Sequence, residues 1–325
     1  MIKKPDELSF ADKKFCMVLA GQPGVGKTTV ALSAPNPILF DLDQGVSRVK
    51  AEHRCLTSSN DTYEGLLADL ETPEYKAAET VILDTGGSLV QLMQPWAKKQ
   101  DAKAARDGRA MFGIIKREFD RLTHQIRNID KKNIIIIFHT TEVQKGDTIT
   151  TRLSCEGSAK DIVWTPADLG CYMHIMGGKR YLGFTPTEEY FAKSCFGISG
   201  IREVPELAPG QKNDFLTRLF EEAKANLLAD MQAFAPQKDI YDSAMTAGTE
   251  LINQAKDAES LGVAAATIKA MEHALTSKAE LGKMIGDKAK ELHLIWNKEE
   301  GKYVSTDSQP AEQLGKGNGS RKSGK

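Results

Sequence analysis

Residues 21–28 read Gly-Gln-Pro-Gly-Val-Gly-Lys-Thr, and the rest of the chain is best interpreted outward from this stretch. The apolar run from Phe15 to Ala20 precedes it and is typical of a buried strand. Thr28 to Ser33 then has the character of a first helical segment, which prolines at positions 35 and 37 bring to an end. A glycine-rich turn between a strand and a helix directs backbone N–H groups at a phosphate.

The residue types suit a nucleoside triphosphate. Glycine at 21, 24 and 26 lets the backbone approach the phosphates closely, Lys27 can reach the β- and γ-phosphates, and the Thr28 hydroxyl can bind Mg²⁺. We therefore expect ATP and Mg²⁺ as cofactors. The predicted nucleotide-binding residues are Gly21, Gln22, Pro23, Gly24, Val25, Gly26, Lys27, Thr28 and Thr29.

Composition sets limits on the function. A net charge of −1 over 325 residues gives no overall basicity, so any contact with DNA must be local. The five cysteines include no C-x-x-C pair, which favours free thiols in a reducing cytosol. With no apolar stretch near 18 residues and no apolar signal region, we expect a cytoplasmic protein without a membrane span.

Strands and helices alternate after the phosphate-binding loop (residues 21–28). Apolar runs at 37–43, 80–84 and 133–139 predict three further strands, the last apolar on both faces as central parallel strands are. Residues 167–196 instead predict antiparallel hairpins that extend the sheet. The fold class is therefore α/β, a doubly wound and mostly parallel sheet whose ligand lies at the carboxyl ends of the strands.

Three regions follow from these patterns. We expect a nucleotide-binding core over residues 1–208, a helical module over 211–300 and a disordered basic tail over 301–325. The apolar residues of the helical module recur at helical spacing and indicate a core or a partner surface.

Acidic residues at strand ends predict the catalytic groups. Asp84 ends an apolar strand and is the expected Walker B acid, which binds Mg²⁺ together with Thr28. Thr85 follows it where many AAA+ ATPases have a glutamate, so another carboxylate must position the attacking water. We favour Asp43 over Asp41. A capping role for Asp43 on a helix over 44–50 stays open.

Two other classes of P-loop protein share features with this sequence. Asp84 to Gly87 satisfies the D-x-x-G pattern of GTPases, but no N-K-x-D follows a strand, which favours ATP. The basic segment from Lys98 to Arg109 could imitate the lid of a small-molecule kinase.

Together these stretches resemble the RecA-like core ATPases, in particular the compact phage-encoded ones associated with single-strand DNA annealing and recombination. The similar stretches are 21–29, 39–45, 80–85, 134–142 and 180–197.

The resemblance implies residue roles and an oligomer. It implies that Asp43 positions water, that His139 or Thr140 senses the γ-phosphate, and that Lys193 acts on a neighbouring subunit of a homo-oligomer. Cys195 stands where a second basic residue is common, which is a departure from the family pattern.

The resemblance also implies single-stranded DNA as partner, held by basic loops after the third and fourth strands. Binding through lysine and arginine would be tolerant of sequence and sensitive to salt. Trp96 could stack on a base or be buried in a helix. The candidate DNA-binding residues are Lys98, Lys99, Lys103, Arg106, Arg109, Lys145, Arg152 and Lys160.

The sequence thus predicts an ATPase that binds single-stranded DNA in phage annealing or recombination, in the bacterial host cytoplasm if phage-encoded. The alternatives are an ATP-dependent switch with little turnover and no DNA role, and a small-molecule kinase.

Overall fold

The computed structural model describes residues 10–145, 148–155 and 163–306. The chain divides into two compact units, residues 1–228 and 229–325. This division lies C-terminal to the predicted boundary at 208–211. The reason is that the first turns of a long helix, Phe215–Gln254, bury Leu216 and Phe220 in the core of the first unit.

The first unit is built on one sheet, nine-stranded within the described ranges. The order is β3-β2-β4-β5-β1-β7-β8-β9, and β6 pairs with the outer part of β5. In the order of the sheet, the neighbouring strands from β3 through β2, β4, β5 and β1 to β7 pair parallel. Strands β6, β8 and β9 pair antiparallel with their neighbours. Their bounds are β1 Cys16–Gly21, β2 Pro37–Asp41, β3 Leu56–Ser58, β4 Thr80–Asp84, β5 Asn133–Lys145, β6 Thr148–Leu153, β7 Leu169–Met176, β8 Lys179–Gly183 and β9 Ile201–Val204.

Helices cover both faces of the central strands, which explains why these strands are apolar on both sides. Every residue of β1 and of β4 is buried, and two separate apolar clusters lie on the two faces. The predicted helix with apolar spacing is α5, which buries Ile115, Phe119 and Leu122. The α-helices that begin in this unit are α1 Lys27–Ala31, α2 Tyr63–Asp69, α3 Pro73–Ala77, α4 Gly86–Gln100, α5 Gly108–His124 and α6 Phe215–Gln254, of which α6 continues into the second unit. The predicted doubly wound, mostly parallel α/β fold is confirmed.

Register brings the polar strand ends to one edge. Gly21 pairs with His139, and Asp41 pairs with Asp84, which in turn lies opposite Ile137. The phosphate-binding loop and the acidic strand ends therefore meet at the carboxyl edge of the sheet.

Two local predictions were wrong. The loop expected after the third strand is helix α4, because the Thr85 side chain caps its first turn and Leu89, Val90 and Met93 are buried at helical spacing. The hairpins predicted over residues 167–196 include a strand at 190–193, but the structure has only two isolated bridges there, at Tyr190 and Lys193.

The second unit has its own apolar core. Its elements after α6 are α7 Ala258–Ala270, α8 Ser277–Glu291, β10 Leu294–Asn297 and β11 Lys302–Ser305. Leu261, Ile268 and Leu281 are buried there.

The predicted disordered tail, 301–325, begins too early. Residues 302–305 form β11, because Tyr303 packs edge-to-face on Trp296 and against the core of this unit. Residues 307–325 lie outside the described residues.

Across the described ranges, each helix is either too short or too polar to cross a bilayer.

Candidate nucleotide-binding site

The phosphate-binding loop connects β1 to α1, and its glycines are required by the backbone. Gly24 and Gly26 have φ values of +80° and +102°, which disfavour any residue with a Cβ. A Cβ on Gly21 would lie 2.6 Å from the Met173 carbonyl oxygen. The loop therefore holds its shape only with glycine at these positions.

Lys27 lies folded over the loop. Its Nζ donates to the Gly21 and Gln22 carbonyl oxygens at 3.0 and 2.8 Å and lies 3.3 Å from His139 Nδ1. The residue is only 4% exposed. Burial lowers the pKa of Lys27 to about 8, and the carboxylates of Asp84 and Asp43 partly oppose this shift. The ammonium is thus positioned to meet an anion that enters the loop.

Thr28 and Asp84 bring two oxygens together from different elements. Thr28 Oγ1 donates to Asp84 Oδ2 at 2.6 Å. Asp84 is almost fully buried, which raises its pKa to about 6, although the Thr28 hydrogen bond acts in the opposite direction. A hydroxyl and a carboxylate are hard oxygen donors of the kind that Mg²⁺ prefers. This pair fits the predicted Mg²⁺ ligands.

The two candidate acids after β2 have different surroundings. Both Asp41 oxygens accept backbone N–H bonds, from Gly45 at 2.7 Å and from Val46 at 3.1 Å. Asp41 therefore caps the turn that contains Val46–Arg48. The capping role considered for Asp43 belongs to Asp41.

Asp43 faces the other side chains of the site. Its Oδ2 accepts from Arg48 at 3.1 Å and lies 3.9 Å from His139 Nε2. Its Oδ1 is buried and has no hydrogen-bond partner among the described residues. A buried carboxylate oxygen without a partner is costly and marks a position for a water or a ligand.

His139 and Thr140, the two candidates for sensing the γ-phosphate, have different surroundings. His139 lies between Lys27 and Asp43, and burial followed by the charge of Lys27 lowers its pKa. The Thr140 hydroxyl is buried without a partner within the described ranges. The structure brings His139, and not Thr140, into contact with Lys27. The sensing role stays a prediction.

A cavity of about 320 Å³ adjoins the loop beside Gly26 and Thr29. Arg48 and Arg180 line it, together with the segment that follows β9. Sequence reasoning missed Arg180, because it is on β8 and only the fold brings it to Val25. No local signal marked it.

A family model described as "AAA domain" matches residues 13–196. The chain belongs to this AAA domain family. No curated protein sequence matches it.

Two solved structures are similar to part of this chain. A KaiC-like protein from the hyperthermophilic archaeon Pyrococcus horikoshii OT3 is 12% identical, with 59% of this chain and 90% of that chain covered, at a TM-score of 0.34. The flagellar accessory protein FlaH from Methanocaldococcus jannaschii is 14% identical, with 60% and 90% covered, at a TM-score of 0.28.

The first group of candidate DNA-binding residues, at positions 98–109, lies around the connection between α4 and α5. All five are exposed, and Lys99 pairs with Glu64 at 2.9 Å. Lys98 and Lys99 are in the last turn of α4, Lys103 and Arg106 follow it, and Arg109 is in the first turn of α5.

The second group lies around β6. Arg152 is exposed on β6. The side chain of Lys145 and the whole of Lys160 lie outside the described residues. Trp96 is half-buried on α4 and packs edge-to-face on buried Tyr63 at the margin of the core, which favours the packing role over base stacking.

Lys193 lies away from the other predicted catalytic side chains. Its backbone pairs with Gly170 near the start of β7, and its Nζ donates to the Trp164 carbonyl oxygen at 3.4 Å. A role in a neighbouring subunit stays a prediction.

The lowered pKa of Lys27 predicts that the affinity of the AAA domain for ATP depends on pH. Without added metal, ATP affinity is expected to stay level below pH about 8 and to fall by up to about tenfold per pH unit above it. The reason is that the ammonium is charged below its pKa and neutral above it, whereas ATP keeps its charge. Titration with ATP in EDTA from pH about 7 to about 9.5 measures this. A Lys27→Arg variant keeps its charge and should give a level profile; a level profile for the native protein would contradict the assignment.

Proposed function

We propose that this AAA domain is a Mg²⁺-dependent ATPase with a RecA-like core. The observation that carries the proposal is the placement of Asp43. Its buried, unpartnered Oδ1 lies at the carboxyl edge of the sheet, and the same side chain is near His139, which contacts Lys27. A carboxylate there can accept a hydrogen bond from a water that attacks the γ-phosphate.

Different groups of the site bind the phosphates, hold the metal ion and orient the water. The backbone N–H groups of the phosphate-binding loop and Lys27 bind the phosphates, while Thr28 and Asp84 hold the metal ion. Mg²⁺, when bound, neutralises charge on the phosphate oxygens. Asp43 orients the water, and His139 contacts both Asp43 and Lys27. Because phosphoryl transfer depends mainly on positioning and charge, these residues are sufficient for slow turnover.

We further propose that the protein binds single-stranded DNA and promotes annealing or recombination in phage DNA metabolism, as a homo-oligomer. The segment 98–109 supports a DNA contact. The carboxylates of its two acidic residues accept hydrogen bonds from backbone N–H groups: Asp101 from Lys103 N and Asp107 from Arg109 N. Of its five cations, only Lys99 has an ion-pair partner in the described part of the chain. The segment thus offers mostly free positive charge.

Single-stranded DNA is expected to raise the rate of ATP hydrolysis by about fivefold or more at low salt, and this stimulation should fade as salt displaces the phosphate contacts. A triple variant, Lys98→Gln, Lys103→Gln and Arg106→Gln, should lose most of the stimulation and keep the basal rate. The measurement is phosphate release with and without DNA at two salt concentrations.

The control is Lys278→Gln with Lys283→Gln, which removes two exposed lysines of α8 in the second unit. This control should keep full stimulation. Equal rates with and without DNA in the native protein would instead favour a switch without a DNA role.

A further inference from the structure

Arg180 reaches the outside of the phosphate-binding loop from a distant strand. It lies on β8, and its Nε donates to the Val25 carbonyl oxygen at 3.0 Å. The side chain also fills the space beside Gly26, where a Cβ would lie 3.3 Å from the Arg180 Nε. The contact therefore fixes Arg180 against the part of the loop that needs positive φ.

The remaining donors of Arg180 are unused. A guanidinium has five N–H donors in a fixed planar arrangement. Apart from the Nε bond, no hydrogen bond or ion pair joins the Arg180 side chain to any residue that the structure describes. Its side chain borders the 320 Å³ cavity together with Gly26 and Thr29.

The path of a bound nucleotide passes this point. The β- and γ-phosphates belong near Lys27, at the carboxyl edge of the sheet. The α-phosphate and the nucleoside then leave over the start of α1, where Thr29 and Val30 border the cavity. The guanidinium of Arg180 lies at the boundary between loop and cavity, and a nucleotide bound in this orientation would have its α-phosphate there.

We propose that Arg180 is a nucleotide-binding residue that contacts the α-phosphate through its terminal guanidinium nitrogens while Nε remains bonded to Val25. This inference rests on the proposed ATPase function, because it assigns a further residue to the same site. A planar guanidinium suits a phosphate, and a charge-assisted bond is stronger than a neutral one. Since the α-phosphate does not react, the contact serves binding and leaves the rate of the chemical step almost unchanged.

The test compares Arg180→Gln and Arg180→Lys with Lys179→Gln, which removes the neighbouring exposed cation that pairs with Glu203. For Arg180→Gln, KM for ATP and Kd for ADP are expected to rise by about tenfold each, with kcat within about threefold of native. The affinity for inorganic tripolyphosphate should fall as well, because the contact is to phosphate. Arg180→Lys should be intermediate, since it keeps the charge and loses the planar arrangement. Lys179→Gln should match the native protein.

Three results would overturn the assignment. Unchanged tripolyphosphate affinity alongside weaker ATP binding would show that Arg180 contacts the base. A fall in kcat at unchanged KM would show that it acts on the transferred phosphate. If native protein turns over ATP and Arg180→Gln has the same KM, only this inference fails; if native protein does not turn over ATP, the proposed function fails. Thermal unfolding of the nucleotide-free variants checks that loss of the Val25 contact does not unfold the loop.

Discussion

Asp43→Asn is expected to lower the rate of ATP hydrolysis by about 10²- to 10³-fold while ATP affinity stays within about threefold of native. An amide of the same size keeps the packing near Arg48 and His139, but it is a much weaker acceptor for the proton of the attacking water. Single-turnover hydrolysis with excess protein measures the chemical step, and a fluorescent ATP analogue measures binding.

Asp43→Glu is the matched control, because it keeps the carboxylate and moves it by one methylene. It should retain more activity than Asp43→Asn. Asp41→Asn should lower thermal stability instead, since one of two accepting oxygens is replaced by a donor beside the Gly45 and Val46 N–H groups. If Asp43→Asn keeps native turnover, the water is positioned by another group.

Lys27→Ala is expected to weaken ATP binding by about 100-fold or more and to reduce hydrolysis to background. The reason is that the buried ammonium, held by the Gly21 and Gln22 carbonyl oxygens, is the cation placed to bind the β- and γ-phosphates. Equilibrium binding of ATP with Mg²⁺ is the measurement.

Lys27→Met serves as the control for folding. It fills most of the same volume without a charge, and a buried charge is costly to the fold, as the lowered pKa of Lys27 indicates. The midpoint of thermal unfolding should therefore stay within a few degrees of native or rise, although ATP binding is lost. Native ATP affinity in either variant would contradict the assigned site.

Much of the nucleotide site could be predicted because its residues are close in sequence or end apolar strands. The phosphate-binding loop is a continuous motif, and Asp84 follows a run that is buried in the structure. In a parallel sheet, strand ends converge on one edge, so the proximity of Asp84 to Thr28 followed from the fold class.

Other parts depended on tertiary contacts that no local pattern reports. The difference between Asp41 and Asp43 is set by which carboxylate meets the backbone N–H groups of the next turn. Arg180 joins the site across 155 positions of sequence. A helix begins directly at Gly86 because of the Thr85 cap, and this cap could be mistaken for the start of a loop.

Phosphate release from ATP by the native protein with Mg²⁺, measured beside Lys27→Ala as background, decides whether the AAA domain is an ATPase. The native protein should hydrolyse ATP at least about tenfold faster than this variant. A native protein that binds ATP but releases phosphate no faster than Lys27→Ala would contradict the claim and identify the AAA domain as an ATP-binding switch.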